Sequence, residues 1–564
     1  MNRMNMRRIV STLVVLMMLL NLVAGCGSGG GGISLGGRTV NISMIYGSEK
    51  EAWLVPLIEA FNKEKHKTGD GGVIVVEATP MGSISSGDAI VAEQLQPTIW
   101  SPASSAYIPV VSADWRKNHA EDLITETPKD LVLSPVIIAM WQPMAEVLGW
   151  PDRALGWADI AELAISEEGW AAYGYAEWGK FKFGHTHPGF SNSGIISVIA
   201  EAYAGVGKQR DLTQEDVNSE AVKSFMTQVE SSIIHYGEST GFFATRMFER
   251  GPSYLSAAVM YENLVVDQET KRLNNEVQQL PVVAIYPKEG TFWSNHPYVI
   301  LNAPWVTEEQ REAAEIFQDY LLAEPQQRQA IAYGFRPADP AIALTSPLDA
   351  NHGVDPQQPQ TVLEVPDAEV IRSIQNLWQQ EAKKPVDLVV VMDISGSMEG
   401  EKISAARSSL RDFVNLLDDR DRIEVILFSD ELITLSALSP LGEKREDLLR
   451  RISGIIEGGD TRLYDAIQMG YDELQAKGDP NHIRAIVALS DGNDTASDLA
   501  LNQLLGEVGN MSEGGSSTKV FTIAFGNNAD RNVLQKIAEA TGAKQYDSDP
   551  TTIQQVYAEI ATFF

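Results

Sequence analysis

The sequence predicts an α/β protein of more than one domain, and three features indicate this. Its 564 residues exceed what one hydrophobic core usually serves. From residue 40 onward, short apolar runs alternate with amphipathic segments of helical period, which is the pattern of strands joined by helices. In the last third, residues 388–392 are apolar on both faces, as expected of a strand buried in a doubly wound parallel sheet.

Polar side chains follow that buried run. Asp393, Ser395 and Ser397 place a carboxylate and two hydroxyls at alternate positions, and parallel sheets bind ligands at the carboxyl ends of their strands. Thr461 lies in a glycine-rich loop before a helical pattern, and Asp491 follows another apolar run. Because carboxylate and hydroxyl oxygens are hard ligands, the pattern predicts a site for Mg²⁺, Mn²⁺ or Ca²⁺.

These five residues, in this order, resemble the metal-ion-dependent adhesion site of von Willebrand factor A domains. The resemblance covers residues 386–564 and implies a Rossmann-like domain. It also implies that the five residues hold the cation, directly or through water, and that an acidic side chain of a partner protein completes the coordination. We expect binding and not catalysis, since no nucleophile and base lie nearby and His482 stands at the start of its strand. Strands are predicted at residues 388–392, 422–428, 433–438, 483–489 and 520–525.

The start of the chain resembles a bacterial lipoprotein signal. Three arginines precede the apolar segment 9–23, which leads into Leu22-Val23-Ala24-Gly25-Cys26. The resemblance implies removal of residues 1–25, a lipid on Cys26 and an exported protein anchored to the membrane. The alternative is an uncleaved transmembrane anchor, although the segment is shorter than the roughly 20 residues that span a bilayer. Residues 26–37 are rich in glycine and predict a flexible tether.

The acidic net charge of the chain disfavours anionic partners. Its formal net charge is −32, which disfavours nucleic acid and anionic membrane surfaces because both repel an acidic protein. Cys26 is the only cysteine, so no disulfide can form within the chain.

Residues 38–345 show a second alternation of strands and helices, with apolar runs at 40–46, 73–76 and 97–102. Together with the segments at 286–291 and 332–337, this portion resembles the extracellular solute-binding proteins of bacterial ABC transporters, the periplasmic binding protein-like II class. The resemblance implies two lobes joined by crossover strands at 134–141 and 282–287. Lobe I then comprises residues 38–133 plus 288–345, and lobe II comprises residues 134–287.

Short polar residues at predicted helix starts are the candidate ligands of a cleft for a small polar solute. Helix N-termini present unpaired N–H groups, although each serine could instead be only an N-cap. A carboxylate that interrupts the apolar stretch 255–266 would suit a cationic or hydroxyl group of the solute. The candidates are Ser48, Ser101, Ser104, Ser191, Asn192, Ser193 and Glu262. His185 and His187 lack two further ligands in the sequence, so their segment is predicted as a loop lining the cleft.

Residues 346–385 predict a connector that ends in a helix at 368–383, whose apolar face we expect to be buried against the first domain or at the interface between the two domains. The whole chain is therefore interpreted as a membrane-anchored extracytoplasmic binding protein and not an enzyme. Two alternatives stay open. The chain could be a transport receptor that hands a solute to a permease, with the A domain as a docking module, or its cleft could have lost its ligand and serve as a scaffold.

Overall fold

The computed structural model describes residues 38–510 and 518–564, except for the side chain of Asn510. The predicted signal peptide, Cys26 and the tether lie outside the described residues. Within the described part of the chain, the structure contains no helix that is both long enough and apolar enough to cross a membrane.

The first module contains strands β1 to β11 and helices α1 to α12. Its strands are β1 (Thr39–Tyr46), β2 (Val73–Pro80), β3 (Ile99–Ser101), β4 (Lys129–Asp130), β5 (Val132–Trp141), β6 (Phe183–Gly184), β7 (Ala257–Tyr261), β8 (Val282–Ile285), β9 (Trp293–Ser294), β10 (Pro297–Ile300) and β11 (Arg336–Pro337). Its helices are α1 (Glu51–Glu64), α2 (Ser83–Val91), α3 (Ile108–Trp115), α4 (Gln142–Val147), α5 (Trp157–Ile165), α6 (Asn192–Val206), α7 (Gln214–Val217), α8 (Glu220–Glu230), α9 (Thr240–Arg250), α10 (Glu262–Leu273), α11 (Glu308–Leu322) and α12 (Glu324–Ala332).

Lobe I is built on a sheet with the strand order β2-β1-β3-β10-β4. Strands β1, β2 and β3 run parallel, whereas β10 is antiparallel to both β3 and β4. Alternate residues of β1, such as Ile42 and Met44, are buried in one hydrophobic cluster with Trp53, Leu57 and Phe61 of α1. The helical spacing of these three residues is what turns one side of α1 toward the core.

Lobe II is built on a sheet with the order β11-β5-β7-β6, and β8 and β9 also pair with β5. The long strand β5 joins the lobes, because its start pairs with β9 and β11 and its end pairs with β7 and β8. Strands β5 and β8 correspond to the two predicted crossover strands, and they pair antiparallel from Ile138↔Ile285 to Trp141↔Val282.

The last module contains strands β12 to β17 and helices α14 to α19, preceded by the connector helix α13. The strands are β12 (Val386–Asp393), β13 (Arg422–Phe428), β14 (Leu432–Pro440), β15 (Ile483–Ser490), β16 (Lys519–Phe525) and β17 (Gln545–Ser548). The helices are α13 (Ala368–Leu377), α14 (Glu401–Leu416), α15 (Arg445–Ser453), α16 (Leu463–Lys477), α17 (Leu501–Asn510), α18 (Arg531–Ala540) and α19 (Ile553–Ala561).

The strand order of this sheet is β14-β13-β12-β15-β16-β17, and all neighbours are parallel except β13 and β14. This confirms the predicted doubly wound α/β fold, with β12 in the middle and every one of its residues buried. Helix α16 covers one face so closely that a Cβ on Gly470 would lie 2.9 Å from Val389 Cγ1. On the other face, Phe413 of α14 and Tyr557 of α19 stack at 4.9 Å.

The connector helix packs against both lobes, which confirms that its apolar face is buried. Arg372 donates to Asp114 Oδ1 of lobe I at 2.6 Å, and Gln375 donates to the carbonyl of Pro188 in lobe II at 3.3 Å. The α-helix ends at Leu377, earlier than predicted, and continues as one π-helical turn over Trp378–Ala382. This turn leads directly into β12.

Candidate functional sites

The predicted metal-site aspartates follow neighbouring strands at the point where the strand order reverses. Asp393 is the last residue of β12, and Asp491 follows the last residue of β15. The chain leaves β12 toward one side of the sheet and leaves β15 toward the other, which opens a crevice between the two strand ends. Both side chains are fully buried from solvent.

The serines of the turn after β12 connect the two acids. Ser395 Oγ lies 3.0 Å from Ser397 Oγ, and Ser397 Oγ donates to Asp491 Oδ1 at 2.6 Å. Asp393 is held from two sides, by the backbone N–H of Ser395 at 2.8 Å and by the hydroxyl of Ser490 at 2.7 Å. The structure therefore brings four of the five predicted residues into one hydrogen-bonded group of oxygens.

The burial of Asp393 close to Asp491 affects its pKa. Burial raises the pKa of Asp393 and the nearby charge of Asp491 adds to the rise, while the hydrogen bonds from Ser395 and Ser490 oppose it. A carboxylate in this environment gains free energy from any cation placed beside it.

Thr461 reaches the same region through a loop that is tied to the serine turn. Gly458 donates to the carbonyl of Ile394 at 2.7 Å, and Gly396 donates to the carbonyl of Gly459 at 3.0 Å. Gly459 has φ +91°, and a Cβ there would lie 1.9 Å from Asp430 Oδ1, so the loop needs glycine at this position. The N–H of Thr461 is fixed by the hydroxyl of Thr495 at 3.1 Å.

Lys402, which the sequence analysis did not single out, also enters the site. Its ammonium donates to Asp491 Oδ2 at 2.5 Å and to the carbonyl of Ser397 at 3.3 Å. Lys402 is the second residue of α14, and side chains in a first helical turn point back toward the preceding loop. The available signal was its place just after the serine turn, but a lysine in a first turn normally faces solvent.

The donor set fits a hard divalent cation. Two buried carboxylates and three hydroxyls supply only oxygen, which Mg²⁺, Mn²⁺ and Ca²⁺ prefer, and one ammonium neutralises only part of the acidic charge. Such a cation would be held by Asp393, Ser395, Ser397, Thr461 and Asp491, and Lys402 would lose its bond to Asp491 or be repelled there.

The predicted cleft between the lobes is closed in this structure. The cavity lined by Ser48, Ser191 and Asn192 measures about 10 Å³, which is the space of roughly one water molecule. Direct bonds cross it, since Ser48 Oγ lies 3.0 Å from Ser239 Oγ and Ser104 donates to Asn192 Oδ1 at 2.6 Å. Of the predicted serines, Ser104 makes a side-chain cap, to Ala106 N. These four polar side chains of the two lobes thus bond to one another across the closed cleft.

Three of the predicted cleft ligands, Glu262, Ser193 and Ser101, do not line the cavity in this closed structure. Glu262 pairs with Arg336 at 2.6 Å and with Tyr286, so its charge is compensated within the chain. Ser193 bonds to Thr186 and Thr240 inside lobe II. Ser101 is buried outside the cavity lining, with its hydroxyl unpartnered among the described residues. Ser193 therefore reaches the cavity only through Thr240, which lines it.

A buried charge cluster at the cleft wall escaped the sequence analysis. Lys50 and Glu49 form an ion pair at 2.9 Å, and His296 Nδ1 lies 3.3 Å from each of them. Burial opposes the ionised form, but Lys50 and His296 lower the pKa of Glu49 to about 2. Adjacent Glu and Lys residues at a helix start are typical of an exposed turn, so the sequence carried no signal for this burial.

The expectation for His185 was also wrong, because its ring faces the interior of lobe II and not the cleft. His185 Nε2 lies 2.9 Å from Glu230 Oε1, and Glu201 completes a group whose potential ligand atoms are all within 4.8 Å of one another. Glu201 is fully buried and neither of its oxygens has a hydrogen-bond partner in the described residues. By distance alone these three side chains could share a cation.

A two-lobed module joined to a doubly wound sheet with acids at its central strand ends defines a modular binding protein, and comparisons identify both parts. The family model for bacterial extracellular solute-binding proteins matches residues 42–336, more than half of the chain, and the chain belongs to this family. The model for the von Willebrand factor type A domain matches residues 387–559. Both kinds of domain are typically binding modules without catalytic activity, and von Willebrand factor A domains often carry a metal-ion-dependent adhesion site.

Individual relatives cover one module each. An uncharacterized protein of Synechocystis, sll0103, is 25% identical over 181 residues, which is 32% of this chain and 42% of that protein. The chain spans less than half the length of the first curated relatives it matches. A von Willebrand factor type A structure from Catenulispora acidiphila is 18% identical with a TM-score of 0.29, covering 32% of this chain and 42% of that one. A periplasmic thiamin binding protein is 10% identical with a TM-score of 0.44, covering 61% of this chain and 97% of that one.

Proposed function

We propose that this chain is an exported binding protein whose A domain binds a protein partner through a divalent cation, Mg²⁺ or Mn²⁺. The observation that carries the proposal is the continuous group of oxygens from Ser395 through Ser397 to Asp491, at the crevice where Asp393 also ends its strand. Two carboxylates and three neutral hydroxyls leave a divalent cation electrophilic, so that an acidic side chain of a partner can replace water as a ligand.

Replacement of Asp393 by alanine tests the proposal. Asp393 lies at a strand end, so its loss should abolish Mg²⁺ and Mn²⁺ binding while the central sheet stays folded. Calorimetric titration of the full chain and the Asp393→Ala variant measures the affinity, and circular dichroism checks the fold. Asp472, an exposed aspartate of α16 bonded to Gln468 at 2.9 Å, offers a control as Asp472→Ala. Equal metal affinity in wild type and Asp393→Ala would refute the adhesion-site assignment.

The first module supports a second binding activity, for a small polar solute, because the chain belongs to a solute-binding family. The closed cleft means that a solute must first separate the lobes and break the bonds Ser48–Ser239 and Ser104–Asn192. A thermal-shift screen of amino acids, sugars and phosphorylated sugars on the full chain tests this, since a bound ligand stabilises the folded state by mass action. If the chain is a receptor for an ABC permease, at least one solute should raise the melting temperature clearly. If the first module is only a scaffold, none should.

Attachment to the membrane through a lipid on Cys26 is part of the same proposal. It is supported by the arginines, the short apolar segment and the small residues that precede Cys26. Mass spectrometry of the mature N-terminus after expression in a bacterium decides it. An unmodified terminus away from Cys26 would exclude the anchor.

A further inference from the structure

A cavity of about 390 Å³ lies between lobe II and the A domain. Its lining includes Ile483, the first residue of β15, and Lys519, the first residue of β16. The cavity therefore lies at the amino ends of these strands, whereas Asp393 and Asp491 lie at the carboxyl ends. The volume is within the range of pockets that bind small molecules. It is also far larger than the closed cleft between the lobes.

The lining of this cavity is strongly basic in a chain whose net charge is −32. Five cations come together from both modules, and the acidic side chain among the described lining residues is the exposed Glu539. Within the described residues, none of the five cations lies within 4.0 Å of a carboxylate oxygen. These cations, which we call the basic pocket, are Lys182, Arg250, Lys384, Arg484 and Lys519.

Four of the five cations are held in place by bonds to backbone carbonyls and not by carboxylates. Lys182 donates to the carbonyl of Ser253 at 2.7 Å, and Lys519 donates to that of Thr541 at 3.0 Å. Arg484 and Lys384 likewise reach carbonyl oxygens, at 3.3 Å in each case. Carbonyl acceptors orient an ammonium or guanidinium but carry no formal negative charge that would pair with it.

Two of the cations face each other across one glycine. A Cβ on Gly542 would lie 2.6 Å from Arg250 Nη1 and 3.3 Å from Lys519 Nζ, and the ring of Tyr254 lies beside both. Burial lowers the pKa of Lys519 to about 7, and the charges of Arg250 and Lys182 add to the effect. Like charges at this separation repel each other and destabilise the fold unless an anion lies between them.

We propose that the basic pocket binds a small multivalent anion carrying phosphate or carboxylate groups, at a site independent of the metal site. Arginine guanidinium groups bind both kinds of group through paired N–H donors, and lysines add point charges around them. Because the lining comes from both modules, the bound anion also joins lobe II to the A domain electrostatically.

Calorimetric titration of the full chain with pyrophosphate and with citrate, at matched ionic strength, tests the proposal. We expect at least one of these probes to bind, and to raise the melting temperature, where sodium chloride of equal ionic strength does not. The variants Lys519→Met and Arg250→Gln should each weaken binding about tenfold or more. Lys271→Met, which removes an equal charge from an exposed ion pair of lobe II, should leave it unchanged.

The two probes separate the possible chemistries. Binding of pyrophosphate alone assigns the pocket to phosphates, and binding of citrate alone assigns it to carboxylates. No binding of either beyond the chloride control would overturn the proposal, as would equal affinity in Lys519→Met, Arg250→Gln and wild type. The Asp393→Ala substitution, which removes a metal ligand without adding a competing anion, should leave anion binding intact, so failure of the metal-site proposal would be recognised separately.

Discussion

Removal of the Lys402 ammonium is expected to make the stability of the A domain depend on a bound divalent cation. Lys402 is the positive charge bonded to Asp491 Oδ2, at 2.5 Å, while Asp393 stands at the neighbouring strand end. The change Lys402→Met keeps the length of the side chain and its apolar stem but removes the charge. Without a metal ion, the variant leaves Asp491 buried with no counter-charge.

The size of the effect follows from the burial of the pair. The Asp491 side chain is 0% exposed and that of Lys402 is 25% exposed. Breaking a fully buried pair costs roughly 3–5 kcal/mol and breaking an exposed one roughly 0–1 kcal/mol, so we expect a loss of about 2 kcal/mol in the free energy of unfolding. A cation that binds the wild type must give up the same pair, so the variant should bind it about 30-fold more tightly.

Urea unfolding of the full chain with EDTA and with saturating Mg²⁺ measures the free energy of unfolding without and with the cation. The variant should be less stable than wild type in EDTA and equally stable in Mg²⁺. Lys477→Met serves as the control, because Lys477 is an exposed lysine of the same domain that pairs with Glu473 away from the site. An unchanged Mg²⁺ affinity in Lys402→Met, measured by calorimetry, would show that Lys402 and the metal do not compete for Asp491.

Three further predictions concern the first module and its contact with the A domain. Glu201→Gln should raise the free energy of unfolding at pH 8 by about 1 kcal/mol or more, and with it the urea midpoint. Burial raises the pKa of Glu201, so ionisation of this carboxyl opposes folding. A lower midpoint would indicate a bound cation. Burial and the charge of Glu559 raise the pKa of Glu238 to about 7, so the free energy of unfolding should fall as the pH rises from 4.5 to 7. Glu238→Gln should make the free energy of unfolding less dependent on pH in this range, and an unchanged dependence would contradict the prediction. Asn192→Leu removes the acceptor for the Ser104 hydroxyl and the donor to the buried hydroxyl of Tyr261, and should lower the free energy of unfolding by about 1–3 kcal/mol. No loss would contradict the closed cleft.

The A domain was predictable because its signals are local. Strands buried on both faces read as continuous apolar runs, and the acids and hydroxyls directly follow two of them. The strand Gln545–Ser548 was missed, since its four residues Gln-Tyr-Asp-Ser show no apolar run. Lys402 was missed for another reason. A lysine in the first turn of a helix has no sequence feature that distinguishes an ammonium bonded to Asp491 from one in water.

The cleft shows the opposite case, where local signals do not decide the role of a residue. A serine at a helix start reads the same whether it faces a ligand, caps the helix or bonds to another segment. The partners that decide this are far along the chain, as Ser239 is from Ser48 and Arg336 is from Glu262. Their pairing depends on how the lobes close, which is a tertiary property that periodicity does not encode.

The connector links the state of the cleft to the position of the A domain. Helix α13 bonds to lobe I through Arg372 and to lobe II through Gln375, and Trp378 then packs against His187 at 4.8 Å. Lobe separation must therefore break contacts on one side of this helix, because one rigid element cannot follow two diverging lobes. The helix continues through a single π-helical turn into β12, whose last residue is Asp393. The contacts of the helix with both lobes and its continuation into β12 therefore join the closed cleft to the strand that ends at Asp393 through one continuous segment of chain.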